Sequence, residues 1–347
     1  MTTGVLAPAP ATVRPGPPDR SLVLCTLGLA AVVGLSVLIG ARSLDLPTVA
    51  AALTGQGTAE AAAIVWEQRI PRTLNGLLGG AALAVAGVVI QGHTRNPLAD
   101  PGLLGVTAGA SLAVVVGISV LGFATPAEYL RFAYLGAALG ASAVLIIGVL
   151  AGRRRDASPA SLVLAGAAVS ALLSAVTGII LLLHAAALDV YRFWTVGSLA
   201  GGRGLDSLAV VAPLMLAGAV LVAAQARSLD AFALGADTAR SLGRRLLPVQ
   251  LIGLLSVTLL VGGATALVGS LGFVGLVAPH IARGFVGPGH ARLLPLSAVL
   301  GAALVLGADI LGRVLVAPAE LPVGIVLGVI GGPVFLVLVV RLFRSRS

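Results

Sequence analysis

Apolar runs of roughly twenty residues recur along the chain, separated by short polar punctuation, and this repetition constrains the fold more than any motif does. About twenty residues of helix cross the hydrocarbon core of a bilayer. Reading the runs between polar breaks yields about ten spans, at 21–40, 70–91, 98–121, 132–152, 161–185, 206–226, 248–268, 270–285, 292–312 and 323–342. Lipid offers the backbone no water, so each run has to close its own hydrogen bonds as helix. The expected class is all-α, a polytopic membrane bundle of about ten transmembrane helices. Composition points the same way: 58% of the 347 residues are hydrophobic and 10% are charged. A soluble domain carries roughly 25% charged residues.

Residues 1–20 are rich in proline, glycine and small polar residues and read as a disordered cytoplasmic tail. The remainder, 21–347, reads as one transmembrane domain. Its first run exceeds a signal-peptide core of roughly 7–15 residues and lacks a convincing small-residue cleavage site, so it reads as a retained span. The eighth run is short and carries Gly275 and Pro279, so it either spans or re-enters. Arginine positions arbitrate. With ten crossings and a cytoplasmic N-terminus, 15 arginines fall inside and 7 outside, accounting for all 22 basic residues. A re-entrant eighth run leaves 11 on each side. The positive-inside rule favours ten crossings with both ends in the cytoplasm. Runs 2–5 and 7–10 then start on opposite sides, the arithmetic of an inverted repeat. The longest cytoplasmic loop, about 227–247, lies between them.

All 22 basic residues are arginine. A P-loop needs a lysine to reach the phosphates, so the chain is no P-loop ATPase, and any ATP and magnesium that drive it belong to a partner. The net charge of +9 does not mark a nucleic-acid binder, because the arginines are scattered between apolar blocks and only 4% of residues are aromatic. The four histidines, His93, His184, His280 and His290, fall in separate segments with no metal-ligand spacing. Ser270 with His280 is a remote option for a hydrolase, lacking the G-x-S-x-G elbow. No cofactor bound by this chain is expected. GxxxG pairs at Gly76/Gly80, Gly105/Gly109, Gly136/Gly140 and Gly324/Gly328/Gly332 indicate close helix packing without locating it.

Charge near the spans is sparse. Asp309 and Arg313 sit four apart on one helix face, where they can pair as an interfacial salt bridge or serve a proton relay. A proton-coupled secondary transporter would want acidic groups deeper in the bundle. Arg69 and Arg72 flank Ile70 and Pro71 where the second span begins; they read equally as interfacial anchors or as a basic rim for an acidic partner. In the loop, Leu234, Ala239 and Leu242 can line one side of a short helix, with Gly235 and Gly243 permitting turns. That element is either a docking helix or a solvated connector.

Several strings in order resemble the FecCD-type permeases, membrane subunits of ATP-driven importers for iron–siderophore chelates, haem and cobalamin. They are Arg69-Ile-Pro-Arg-Thr-Leu74, Gly80–Gly92, Asn96-Pro-Leu-Ala-Asp-Pro-Gly-Leu-Leu-Gly105 and Leu234-Gly-Ala-Asp-Thr-Ala-Arg-Ser-Leu-Gly243. Gly272-Phe-Val-Gly-Leu-Val-Ala-Pro-His280, Ala308-Asp-Ile-Leu-Gly-Arg313 and Glu320-Leu-Pro-Val-Gly324 follow. The resemblance implies a permease of ten spans working as a dimer, with a second copy or a paralogue, in the cytoplasmic membrane. It implies that Arg69, Arg72 and Arg313 face outward to meet glutamates of an extracytoplasmic substrate-binding protein. It implies that Leu234, Gly235, Ala236, Ala239, Leu242 and Gly243 seat on an ABC ATPase subunit, and that Asn96, Pro97 and Leu98 border a cytoplasmic gate. The run Tyr191-Arg-Phe-Trp194 looks most like siderophore-type members, which makes a ferric siderophore the expected cargo and haem or cobalamin the alternative.

Overall fold

The computed structural model of the chain describes residues 18–123, 125–151, 159–200, 204–233, 235, 238, 241 and 246–344, and among them there is helix and no strand. Helix α1 (Pro18–Leu38) starts three residues inside the stretch expected to be tail. Two short helices follow, α2 (Leu46–Leu53) and α3 (Ala59–Ala63), of which hydropathy gives no sign. Helix α3 continues through a wide π-helical turn at Ile64–Arg69 into α4 (Ile70–Thr94). Then come α5 (Val106–Ser119), α6 (Pro126–Ala151), α7 (Pro159–Leu183), α8 (Ala185–Val196) and α9 (Leu205–Ala233). The chain closes with α10 (Leu246–Val268), α11 (Val274–Val286), α12 (His290–Leu315) and α13 (Val323–Arg344).

Among the described residues eight helical stretches are long and apolar enough to cross a membrane, and α5 and α11 are shorter apolar helices. Both lie second in their group of four expected spans, and both are shortened by a break. Ahead of α5, Asp100 accepts from the N–H of Gly102 at 2.8 Å, a 3-10 turn covers Pro101–Leu104, and Gly105 stands at φ +71°. The third run is therefore α-helical only from Val106, because the Asx turn at Asp100, Pro101 and left-handed Gly105 stop an α-helix from starting earlier. Ahead of α11, Phe273 itself takes a left-handed conformation at φ +68°. That is strained backbone for a bulky residue, and the ring is held against Gly331 of α13, where an added Cβ would lie 2.5 Å from Cγ.

Helix α4 is the hub. Of its most apolar stretch 78% is buried, against 6% for α1. Glycines let its neighbours approach: a Cβ on Gly76 would meet Leu306 of α12 at 2.7 Å, and one on Gly79 would meet Val268 of α10 at 2.9 Å. A Cβ on Gly80 would strike the Gly301 carbonyl of α12, and one on Gly87 the Gly275 carbonyl of α11. Small residues at these positions bring backbones into direct contact. The same device joins α5 to α6, with Gly105 and Gly109 facing Gly140 and Gly136.

These contacts also give direction. Helix α12 runs antiparallel to α4, with Leu306 beside Gly76 and His290 beside Gly92. Helix α10 is antiparallel to α4 as well, with Val268 beside Gly79 and Val249 bonded to His93. The C-terminal end of α1 meets Arg313 on the face where α4 begins. Helix α10 thus climbs toward that face and α12 leaves the opposite one, so the eighth run carries the chain across, as the arginine count favours. Pro18 and Arg344 end up on one side, opposite Arg69.

Candidate functional site

Four charged groups from two distant parts of the chain, Arg72 and the stretch 309–320, converge where α4 begins and α12 ends. Asp309, fully buried, is the centre. Arg72 grips it from α4 with two parallel bonds, Nη2 to Oδ1 at 2.7 Å and Nε to Oδ2 at 3.0 Å. Arg313, one helical turn beyond Asp309, donates from Nη2 to Oδ2 at 2.5 Å. The remaining Nη1 of Arg72 reaches Glu320 at 2.7 Å. The i, i+4 spacing of Asp309 and Arg313 foretells their pair, but not that Arg72 joins it across 237 residues of sequence. Nor does the pair reach out to solvent: Asp309 and Arg313 are 0% and 2% exposed. Bidentate charge-assisted bonds are the strong ones, and here water does not compete.

The other donors close the end of α1. A helix leaves its last four carbonyls without intrahelical partners. Arg313 Nη1 donates to Ser36 O at 2.9 Å and Ile39 O at 2.6 Å. Arg69 Nη1 donates to Val37 O at 2.9 Å and Leu38 O at 2.8 Å, and its Nη2 to Arg42 O at 2.7 Å. Two guanidiniums at the negative end of the helix dipole also sit where cations are favoured. Ser36 Oγ joins Thr73 Oγ1 at 2.8 Å, which ties α1 to α4 a second way. A cavity of about 300 Å³ opens over this cluster, lined by Arg42, Gln68, Arg69, Arg72, Arg313 and Glu320 among others.

At the other end of α4 the helix stops at Arg95, which is left-handed at φ +50°. Asn96 Oδ1 accepts from the Leu98 N–H at 3.0 Å, and the Ala99 N–H donates to Asn96 O at 3.1 Å. Gln91, buried, donates its amide to Gly275 O at 3.1 Å and Ala99 O at 3.4 Å. One side chain thus ties this turn to the broken start of α11. Among the described residues no group of three or more His, Cys, Asp or Glu is arranged to hold a metal ion.

The model of the FecCD transport family matches residues 28–341. The chain belongs to the FecCD transport family. Among curated relatives, the ferric enterobactin transport system permease protein FepD of Escherichia coli (strain K12) is 46% identical, over 90% of this chain and 92% of that one. The hemin transport system permease protein HmuU of Yersinia pestis is 39% identical, over 94% and 95%. The iron(3+)-hydroxamate import system permease protein FhuB of Bacillus subtilis (strain 168) is 39% identical, over 92% and 82%. A solved metal-chelate type ABC transporter in an inward-facing conformation superposes with a TM-score of 0.81 and 30% identity, covering 93% of this chain and 99% of that one.

Within this family member the three expected rim arginines do come together, with a difference. Arg69 and Arg313 are turned inward, 4% and 2% exposed, because their guanidiniums donate to the carbonyl end of α1 beside them. Arg72, with 12% of its side chain exposed, borders the cavity together with the more open Glu320. Arg69 and Arg313 line the same cavity. Asn96, Pro97 and Leu98 form the turn that ends α4, on the face opposite the arginines. Of the loop residues, Gly235 stands at φ +116° with its N–H donating to Phe232 O at 3.1 Å. Leu234, Ala236, Ala239, Leu242 and Gly243 lie outside the described residues. Sequence reading passed over Glu320 and Asp230, since nothing in local spacing links them to their partners.

Proposed function

We propose that this chain is the permease subunit of an ATP-driven importer that carries a ferric siderophore across the cytoplasmic membrane. The observation that carries the reading is the 46% identity with FepD over nine-tenths of both chains. It is supported by an all-helical bundle whose topology puts both ends on one side, which the excess of arginine makes the cytoplasmic side. Hydrolysis of ATP falls to a separate ABC ATPase, because this chain has no lysine for a phosphate-binding loop. The ATP and magnesium belong there, and this permease needs no cofactor of its own.

In this reading a substrate-binding protein docks on the face that holds Arg69, Arg72 and Arg313. Arg72 offers the accessible charge, while Arg69 and Arg313 keep α1 and the rim in place. The segment 234–245, containing Leu234, Gly235, Ala236, Ala239, Leu242 and Gly243, seats on the ATPase. Closure of the ATPase dimer tilts the helices, and the turn at Asn96, Pro97 and Leu98 opens or shuts the cytoplasmic end. A second permease subunit, identical or paralogous, completes the pathway. Iron travels wrapped in its chelator, so the pathway meets the chelator's surface.

The likeness to HmuU at 39% identity keeps haem as the second reading. The test is uptake in cells lacking the chain, offered radio-iron as catecholate, hydroxamate and citrate chelates and as haem, with labelled cobalamin alongside. Loss confined to one ferric siderophore class and restored by re-expression is the expected result. Intact siderophore uptake with lost haem uptake would move the cargo to haem and leave the importer in place.

A further inference from the structure

The two stems of the segment 234–245 are held by one side chain of α4. Helix α9 enters the segment through Asp230, Ala231, Phe232 and Ala233, and α10 leaves it at Leu246. The ring of His93 lies 5.3 Å from that of Phe232, tilted by 35°. On its other side the ring faces the Val249 carbonyl of α10 at 3.3 Å and the Val89 carbonyl of its own helix at 2.9 Å. A neutral imidazole has one N–H, so it donates to one of these carbonyls at a time. Gly253, one turn beyond Val249, leaves the space the ring occupies: a Cβ there would strike Cε1. Ala231, Phe232 and Val249 bury one another around it.

A second tether backs the first. Asp230, on the entry stem, accepts from the backbone N–H of His290 at 2.9 Å and from its ring Nδ1 at 2.7 Å, which binds the stem to the start of α12. His290 in turn packs beside Gly92, the residue before His93. Two residues past His93, Arg95 ends the helix and lies near Gly235, whose added Cβ would be 3.8 Å from Nη1. Asn96 follows and begins the turn expected to gate the pathway.

We propose that His93 is a positioning residue that transmits movement of the segment 234–245 to the turn at Asn96, Pro97 and Leu98. The inference rests on the importer reading above. The chemistry is rigid-body transmission. Both stems press on one ring, the ring stands on the last turn of α4, and the gate turn is the next piece of chain. A displacement of either stem relative to α4 has no slack to be lost in, because the ring is packed on a bare glycine backbone.

The test uses the complete transporter, this chain with its ATPase, in lipid nanodiscs. Two quantities are measured, ATP turnover and deuterium uptake of residues 94–100 with and without ATP plus orthovanadate. In the wild-type complex, nucleotide trapping should change exchange of that turn by about tenfold. In His93→Ala, turnover should stay within about twofold while the nucleotide-dependent change at 94–100 disappears. His93→Gln, which still donates an N–H, should recover part of it, and Gly253→Ala, which displaces the ring from the α10 side, should reproduce the loss. A purely structural His93 would raise exchange equally with and without nucleotide and lower the thermal midpoint. That result, or an undiminished nucleotide response in both His93→Ala and Gly253→Ala, would overturn the proposal. Chelate uptake by the wild-type complex bears on the importer reading, whereas the variant-to-wild-type comparison bears on His93 alone.

Discussion

The two ends of α4 hold their neighbours by different means. At its start, Arg69 and Arg72, with Asp309 and Arg313, form a closed set of charges and carbonyls, nearly all of it buried. At its finish, His93 makes contact through a ring face and a weak inter-helical bond, and Asp230 keeps 44% of its side chain exposed while bonding His290. Buried charge pairs resist separation, because parting them strands an ion in low dielectric. A ring packed on a glycine, with a half-open carboxylate beside it, holds its neighbours by packing and single hydrogen bonds, without a buried ion pair of that kind. The same helix is thus held by charge at one end and by close packing at the other.

That contrast can be broken from its strong end. Asp309→Asn leaves Arg313 buried without a neutralising partner and Arg72 with Glu320 alone, and should cost about 3–5 kcal/mol, read as lost folded yield and a lowered thermal midpoint in detergent. Arg69→Met removes the donors from Val37, Leu38 and Arg42 carbonyls, and should cost about 2–3 kcal/mol in the same assay. At the weak end, Asp230→Asn keeps an acceptor for the His290 N–H and should cost about 1 kcal/mol. If Asp230→Asn proved as damaging as Asp309→Asn, the two ends would not differ in kind. The smallest effect is expected at the rim, where Arg42 and Glu60 pair at 2.5 Å with 69% and 64% of their side chains exposed. Arg42→Gln there should stay within about 0.5 kcal/mol, since water screens an exposed pair.

The wide turn before α4 explains part of the strong end. A π-helical turn over Ile64–Arg69 is a costly local geometry that recurs at functional positions. Here it closes on Arg69, whose side chain reaches back to α1, three residues before Arg72 reaches forward to α12. The pattern Glu67 to Arg72 shows where the span begins, but an apolar count cannot show the turn. Arg69 bonds the end of α1 and Trp66 bonds Ala52 O of α2 at 3.2 Å, both outside the turn's own stretch of sequence.

Much of the scaffold was legible because it follows from burial in lipid. All ten expected runs contain helix, and the eighth crosses, as arginine positions required. Three of the four GxxxG sets, at Gly76/Gly80, Gly105/Gly109 and Gly136/Gly140, face another backbone or close-packed side chain, and so does Gly324 of the fourth, against Val196 O. Gly328 and Gly332 meet nothing within 4 Å, which is why spacing alone does not locate an interface. The shortening of the third run, the short helices α2, α3 and α8, and the burial of Arg69 and Arg313 were not legible.

The sequence by itself determined that this chain is a polytopic helical membrane bundle and to which family its ordered strings belong. Those properties depend on local composition and on short-range spacing, which a linear string preserves. Only the tertiary structure decided that Asp309 is shared by two arginines, that α1 is capped by side chains from α4 and α12, and that His93 stands between the two stems of one loop. Apart from Arg313 with Asp309, four residues apart, each of those is a contact between residues tens to hundreds apart in sequence. No periodicity in the chain encodes which of its many glycines will meet which partner.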